Sequence, residues 1–146
     1  MTPEEMMQVA IEAAETSKTP YGAVIAKGNQ IVEVAGNTVL TEHDPTGHAE
    51  VNVIRKLATK LGDRSLEGYT LYTTYEPCPM CASACVWASI SEIIYGASID
   101  DFEDYNPNLI DLRCKDVIQR SPISIHLKGG VLLEQCKHLH DVYPIE

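Results

Sequence analysis

Residues 43–56 read HDPTGHAEVNVIRK, and residues 76–85 read EPCPMCASAC. Both segments pass from turn chemistry into helical spacing within a few residues. In the first, Asp44-Pro45-Thr46-Gly47 is rich in turn formers. Ala49, Val53, Leu57 and Leu61 then recur on one face, which predicts a helix over 47–61. In the second, Pro79 suits the first turn of a helix predicted over 79–89. Each of these helices follows a β-rich run. YTLYTT at 69–74 is dense in Tyr and Thr and reads as a strand. YGAVIAKGNQIVEVAG at 21–36 reads as two strands joined at Gly28-Asn29, a hairpin signal. ISEIIYGA at 90–97 is a further strand.

The flanks extend the pattern. Residues 3–16 place Met6, Val9, Ala10, Ala13 and Ala14 at helical spacing. Thr2 with Glu5 three residues on is a capping box, and Pro3 fits the first helical position. After a polar loop at 100–108, the sequence predicts a short helix over 109–119 and a short strand over 123–126. A last helix over 131–140 follows Gly129-Gly130. Strands alternating with helices predict an α/β fold. The expectation is a three-layer αβα sandwich with a central mixed five-stranded sheet, the first two strands antiparallel. At 146 residues it is expected to be one domain spanning 1–146.

Composition argues against several classes. The formal charge of −10 opposes nucleic-acid binding, which usually draws on a basic surface. RKLATK at 55–60 is half apolar, and Lys115 and Arg120 stand apart. No apolar run approaches the ~20 residues of a membrane span. The acidic, helical start MTPEEMMQVAIEAAE lacks the features of an export signal, so a cytoplasmic location is expected. There are five cysteines, Cys78, Cys81, Cys85, Cys114 and Cys136. Three crowd into eight residues, which points to metal binding or catalysis more than to disulfides.

Zinc chemistry accounts for the two opening segments together. Zn²⁺ prefers His nitrogen and Cys thiolate, and a catalytic site keeps one of four positions for water. Cys78 and Cys81, one turn apart at a helix N-terminus, offer two thiolates favoured by the helix dipole. His48 offers the third ligand. Glu50, two residues on, is placed to exchange a proton with water beside the metal without ligating it.

The pattern His48-x-Glu50 followed by Pro77-Cys78-x-x-Cys81 is the signature of zinc-dependent nucleobase deaminases. The chain resembles the cytidine deaminase-like superfamily, in the branch that holds guanine deaminases and tRNA adenosine deaminases. YGAVIAKGNQIVEVAGN, DPTGHAEV, TLYTTYEPCPMC and IIYGA carry the resemblance, in order, over residues 20–97. The resemblance implies the family's five-stranded fold and hydrolytic deamination, with one zinc per chain on His48, Cys78 and Cys81. Glu50 is implied as the proton shuttle. Asn37 matches a position that hydrogen-bonds the purine ring. The Ala49 backbone N–H and the Glu76 carbonyl are implied to face the reacting centre. Tyr21 and Tyr75, beside motif residues, are pocket candidates.

The same resemblance frames the substrate. The tRNA enzymes of the branch generally carry a basic helical tail, whereas this chain ends LHDVYPIE. With the charge of −10 this favours a free base or nucleoside, guanine first, with no nucleic-acid and no membrane partner. Gly47 stands where the family usually has Ala. Asp101, Asp104 and Tyr143 are possible counterparts of the family's pocket-closing acid and C-terminal aromatic. Alternatives are a tRNA adenosine deaminase, a deaminase of cytosine or another aminated ring, and a non-catalytic zinc-stabilised module. A homodimer built on the Cys helix, with Trp87 and Ile90, is expected. Cys85 is read as a small buried hydrophobe, Cys114 and Cys136 as structural, and His43 as a loop or pocket-wall residue. His126, His138 and His140 are read as surface or lid residues.

Overall fold

A computed structural model of the chain describes residues 1–104 and 106–143. α1 (Pro3–Ser17) starts at the expected capping box: the Glu5 amide donates to Thr2 Oγ1 at 3.1 Å and the Thr2 amide to Glu5 Oε1 at 3.0 Å. β1 (Gly22–Lys27) and β2 (Gln30–Gly36) form the hairpin, turning at Gly28 with φ of +62°, where a side chain would be strained. A four-residue helix, α2 (Val39–Glu42), leads to α3 (Ala49–Leu61). β3 (Thr70–Tyr75), α4 (Pro79–Trp87) and β4 (Glu92–Ala97) follow. After a 3₁₀ turn at Ile99–Asp101 come α5 (Cys114–Gln119), β5 (His126–Lys128) and α6 (Leu133–Val142).

The sheet order is β2-β1-β3-β4-β5. β1 runs antiparallel to both β2 and β3, while β3, β4 and β5 are parallel. The mixed five-stranded sheet is the one the alternation predicts. β1 is buried on both faces, and its period of two sorts its residues cleanly. Ala23 and Ile25 join Val53, Leu57, Leu71, Cys85 and Ile93 in the layer under α3, α4 and α5. Val24 and Ala26 join Met6, Met7, Ala10, Tyr72 and Leu139 in the layer under α1 and α6. Cys114 and Cys136 are buried, one in each layer, and all five cysteines are free thiols.

Several expectations shift. α1 buries Met7 and Ile11 beside Met6, Ala10 and Ala14, leaving Val9 and Ala13 half-buried. The reason is close contact: a Cβ on Gly22 would stand 2.0 Å from the Ala10 carbonyl oxygen and 2.5 Å from the Ala14 nitrogen. Leu61 is 47% exposed, being the last residue of α3 before the left-handed Gly62 cap. The helix expected over 109–119 begins only at Cys114, because the preceding residues form a loop tied by Arg113 to Asp100 and Asp111. The last strand lies at 126–128 rather than 123–126, since Ile123 and Ile125 pack into the core and His126 begins the pairing with β4. α6 starts at Leu133, after Leu132 in a left-handed conformation. α2 and the 3₁₀ turn were not expected, because hydrophobic periodicity cannot register elements of three or four residues. Among the described residues no helix is long and apolar enough to cross a membrane.

The Gly22 contact is testable. Gly22→Ala forces α1 off the sheet and is expected to lower stability by about 3 kcal/mol, measured by urea unfolding.

Candidate active site

The two helices named by the opening segments point their N-termini at one place. His48 is the N-cap of α3 and Cys78 is the N-cap of α4, yet neither side chain caps its own helix. An N-cap side chain usually bonds the amides of the first turn. Here both are free to meet. His48 Nδ1 lies 3.6 Å from Cys78 Sγ and 3.5 Å from Cys81 Sγ, and the three donor atoms fall within 4.8 Å of one another. A tetrahedral ion with bonds of about 2.0 Å to nitrogen and 2.3 Å to sulfur holds N and S donors about 3.6 Å apart. The donor set and its spacing therefore suit zinc.

The electrostatics fit the same reading. Cys78 is brought down to about 4, chiefly by the hydrogen bond from the Cys81 thiol, with His48 and the α4 backbone adding to it. Cys81 is the protonated partner and its thiol is raised, the shared hydrogen bond being the largest cause. His48 is raised, first by its hydrogen bond to Cys78. Cys85 is fully buried and its thiol is pushed well up by desolvation, which leaves it an inert packing residue.

Glu50 is 6% exposed, in the first turn of α3. Burial, and then the Cys78 charge, push its carboxyl up to about 7, against opposing interactions with its own amide, His48 and Thr73. A carboxyl near 7 can take up and release a proton at neutral pH.

One wall is aromatic. Tyr21 is pushed up to about 12, chiefly by burial, with the Glu50 and Cys78 charges adding to it. Its ring centroid lies 5.9 Å from Tyr75 and 5.7 Å from His140. His140 in turn lies 5.1 Å from Tyr75 and 4.8 Å from Phe102. His140 was expected at the surface or in a lid. Instead α6 turns it inward, where its Nε2 is buried with no hydrogen-bond partner among the described residues and burial lowers the imidazole to about 4. Its place one residue after the buried Leu139 is the only signal in the sequence, and that spacing does not separate an inward from an outward imidazole.

The remaining candidates divide. Asn37 Oδ1 accepts from the Val39 amide at 3.0 Å, and its side-chain NH₂ has no partner among the described residues. Ala49 is buried at the first position of α3. For Glu76 the backbone carbonyl was the expected group, but the side chain has its own task. It is buried, and its two oxygens accept from the Ile99 amide at 3.0 Å and the Cys114 amide at 3.2 Å. Glu76 thus pins both ends of the 98–114 loop beside Cys78, a contact the sequence did not reveal. Asp101 is engaged in capping the 3₁₀ turn through the Ser98 amide at 2.7 Å. Asp104 is exposed, and Tyr143 is half-buried at the end of α6 in the layer that holds α1. His43 is exposed at the end of α2, and His126 and His138 are exposed.

Two outcomes are expected. His48→Ala and Cys81→Ala should drop bound zinc from one per chain to near zero, measured by elemental analysis of purified protein. His140→Leu should raise stability by about 1 kcal/mol, because it removes a buried polar atom that has no partner among the described residues. The gain should widen as pH falls. The unfolded imidazole takes a proton near 6.5 and the folded one only near 4, so the wild type alone loses that stability between those values. Unfolding curves of both proteins at pH 7 and pH 4.5 check this.

Residues 1–97 match the family described as cytidine and deoxycytidylate deaminase zinc-binding region. Guanine deaminase from Bacillus subtilis (strain 168) is 46% identical over 82 residues, 56% of this chain and 53% of that enzyme. The chain thus spans about half the length of that relative. tRNA-specific adenosine deaminase from the same organism is 35% identical over 133 residues, 91% of this chain and 80% of the relative. A solved structure from work on A-to-I editing by tRNA:A34 deaminases superposes with a TM-score of 0.81 at 27% identity, covering 92% of this chain and 98% of that one. With the family match reaching across His48, Glu50, Cys78 and Cys81, and with three donors at zinc spacing, the chain belongs to the zinc-binding cytidine and deoxycytidylate deaminase family.

Proposed function

We propose that the chain hydrolytically deaminates a small aminated base or nucleoside, guanine to xanthine and ammonia being the leading case. The observation that carries the reading is Glu50, a buried carboxyl in the first turn of α3 beside the His48, Cys78 and Cys81 cluster. A structural zinc module has no use for that carboxyl, which disfavours the non-catalytic alternative.

When bound, zinc supplies Lewis acidity that brings the pKa of water in contact with it to about 7. His48, Cys78 and Cys81 would hold the ion. Glu50 takes the proton that water loses as its oxygen adds to the ring carbon bearing the amino group. Glu50 then gives that proton to the adjacent ring nitrogen. Glu50 next takes the proton of the hydroxyl now on that carbon and passes it to the amino group, so that the C=O forms as the C–N bond breaks and ammonia leaves. Asn37 offers its free NH₂ to a ring acceptor. The Ala49 N–H and the Glu76 carbonyl hold the reacting edge, the carbonyl suiting an amino group because it can only accept. Tyr21 and His140 flank the base with apolar ring surface, and Asp101, Asp104 and Tyr143 are the candidates at the entrance.

The choice of a free base rests on charge. The 98–114 loop pinned by Glu76 carries Asp100, Asp101, Glu103, Asp104 and Asp111 beside the site, on a chain of net charge −10. That rim repels a phosphate backbone. The 46% identity to a guanine deaminase favours guanine. A second reading, adenosine in tRNA, has its own support: the tRNA-specific relative matches over 91% of the chain, against 56% for the guanine deaminase. A homodimer is proposed on the α4–α5 face. Trp87, expected in the core or an interface, is 82% exposed there, above a groove of about 730 Å³ that Val86, Leu112 and Val117 also line.

The test is ammonia release by zinc-loaded protein from guanine, adenine, cytosine, their nucleosides and an anticodon stem-loop RNA. Release from guanine is expected. Release from the RNA alone overturns the free-base reading. Glu50→Gln is expected to fold and keep zinc but lose about 10²–10⁴-fold in turnover. Unchanged turnover in that variant removes Glu50 from the mechanism.

A further inference from the structure

Asn52 sits one turn into α3, 8% exposed, with its backbone amide donating to the His48 carbonyl at 2.9 Å. Its side-chain NH₂ reaches three acceptors on two other segments. Nδ2 lies 3.0 Å from the Gly36 carbonyl oxygen, 2.9 Å from Thr38 Oγ1 and 3.3 Å from the Gly47 carbonyl oxygen. Two hydrogens serve two short bonds and share the longer contact. The orientation is fixed by chemistry. Both carbonyls can only accept, so the NH₂ must face them, and Oδ1 then accepts from Arg55 Nη1 at 3.2 Å.

The three acceptors have a pattern. Gly36 and Thr38 flank Asn37 on either side. Gly47 immediately precedes His48. One buried amide therefore clasps the end of β2 to the entry of α3. The backbone closes the same clasp, the Thr38 amide donating to the Gly47 carbonyl at 2.8 Å. The approach is tight enough to demand glycine, because a Cβ on Gly47 would stand 2.7 Å from Thr38 Oγ1 and 3.1 Å from the Asp44 carbonyl oxygen. Thr38 occupies the space that a side chain at position 47 would need.

We propose that Asn52 is a positioning residue that sets the distance between the Asn37 amide and the His48–Glu50 turn of α3. It touches neither substrate nor metal. It acts by holding Gly36 and Thr38, and hence Asn37, at a fixed height over the first turn of the helix. The part that concerns catalysis rests on the reading of Asn37 as a substrate contact. The clasp itself does not.

The test uses Asn52→Asp, which keeps the shape but turns a carboxylate oxygen towards two carbonyl oxygens. Asn52→Ala is the second variant should the first fail to fold. Amide hydrogen exchange at Thr38 and the kinetics of zinc-loaded protein on the substrate identified above are both measured, with zinc content as control. Exchange at Thr38 is expected to accelerate at least tenfold while the amides of α1 stay unchanged. KM is expected to rise at least tenfold with kcat within threefold of wild type. In an Asn37→Ala background, the Asn52 change is expected to add nothing further to KM. Unchanged exchange at Thr38 overturns the clasp. An additive KM effect in the double variant, or a loss confined to kcat, overturns the route through Asn37. If wild-type protein releases no ammonia from any substrate, the deaminase reading fails, and the exchange result alone decides whether Asn52 holds the two segments together.

Discussion

Two helices in this fold begin with residues that do not cap them. His48 and Cys78 occupy N-cap positions, where Ser, Thr, Asp or Asn would bond the first-turn amides. Both side chains turn away from their own helices and towards each other, with Cys81 one turn further along α4. The unsatisfied positive ends of both helices consequently face the same small volume. That field favours thiolate at Cys78, and it favours anionic charge that a metal then neutralises. The parallel arrangement of β3 and β4 places α4 as a crossover on the same face as α3, so the two N-termini converge without any special loop.

Burial does the second part of the work. Glu50 is a carboxyl with almost no solvent contact, next to a thiolate, and both facts raise its proton affinity to the neutral range. The same carboxyl on a solvated face would titrate near 4 and would be a poor proton carrier at pH 7. The walls keep it so. Tyr21, Tyr75, Phe102 and His140 form a ring cluster on one side, in which the His140 Nε2 has no partner among the described residues. On the other side, Glu76 spends both carboxylate oxygens on the Ile99 and Cys114 amides and so fixes the loop that carries the acidic rim. Asn52 plays the corresponding part at the β2 end, where it joins Gly36 and Thr38 to Gly47.

Much of this was legible in the residues. The hairpin at Gly28-Asn29 and the capping box at Thr2 declared themselves locally, because each depends on neighbours two to four positions away. The zinc donors were legible for a different reason. His48, Cys78 and Cys81 are few, chemically specific and spaced one helical turn or one motif apart, so residue type alone narrowed the choice. The C-terminal third was harder. α5 starts five residues later than periodicity predicts and β5 lies three residues further on, because Arg113, Ile123 and Ile125 are placed by contacts with distant residues.

The sequence by itself determined the α/β alternation, the hairpin, the metal-binding donor set and Glu50 as its companion, since each is set by local spacing and side-chain chemistry. Only the tertiary structure decided that His140 points inward at an aromatic wall and that the Glu76 carboxylate holds the Ile99 and Cys114 amides. The same holds for Asn52, which joins the end of β2 to the entry of α3 across the turn-rich segment between them. All three are polar groups whose role depends on which distant backbone amides, carbonyls or rings surround them. A helical Asn or His looks the same in sequence whether it faces solvent or an unsatisfied carbonyl, and the packing of α3 and α6 against the sheet settles which it meets.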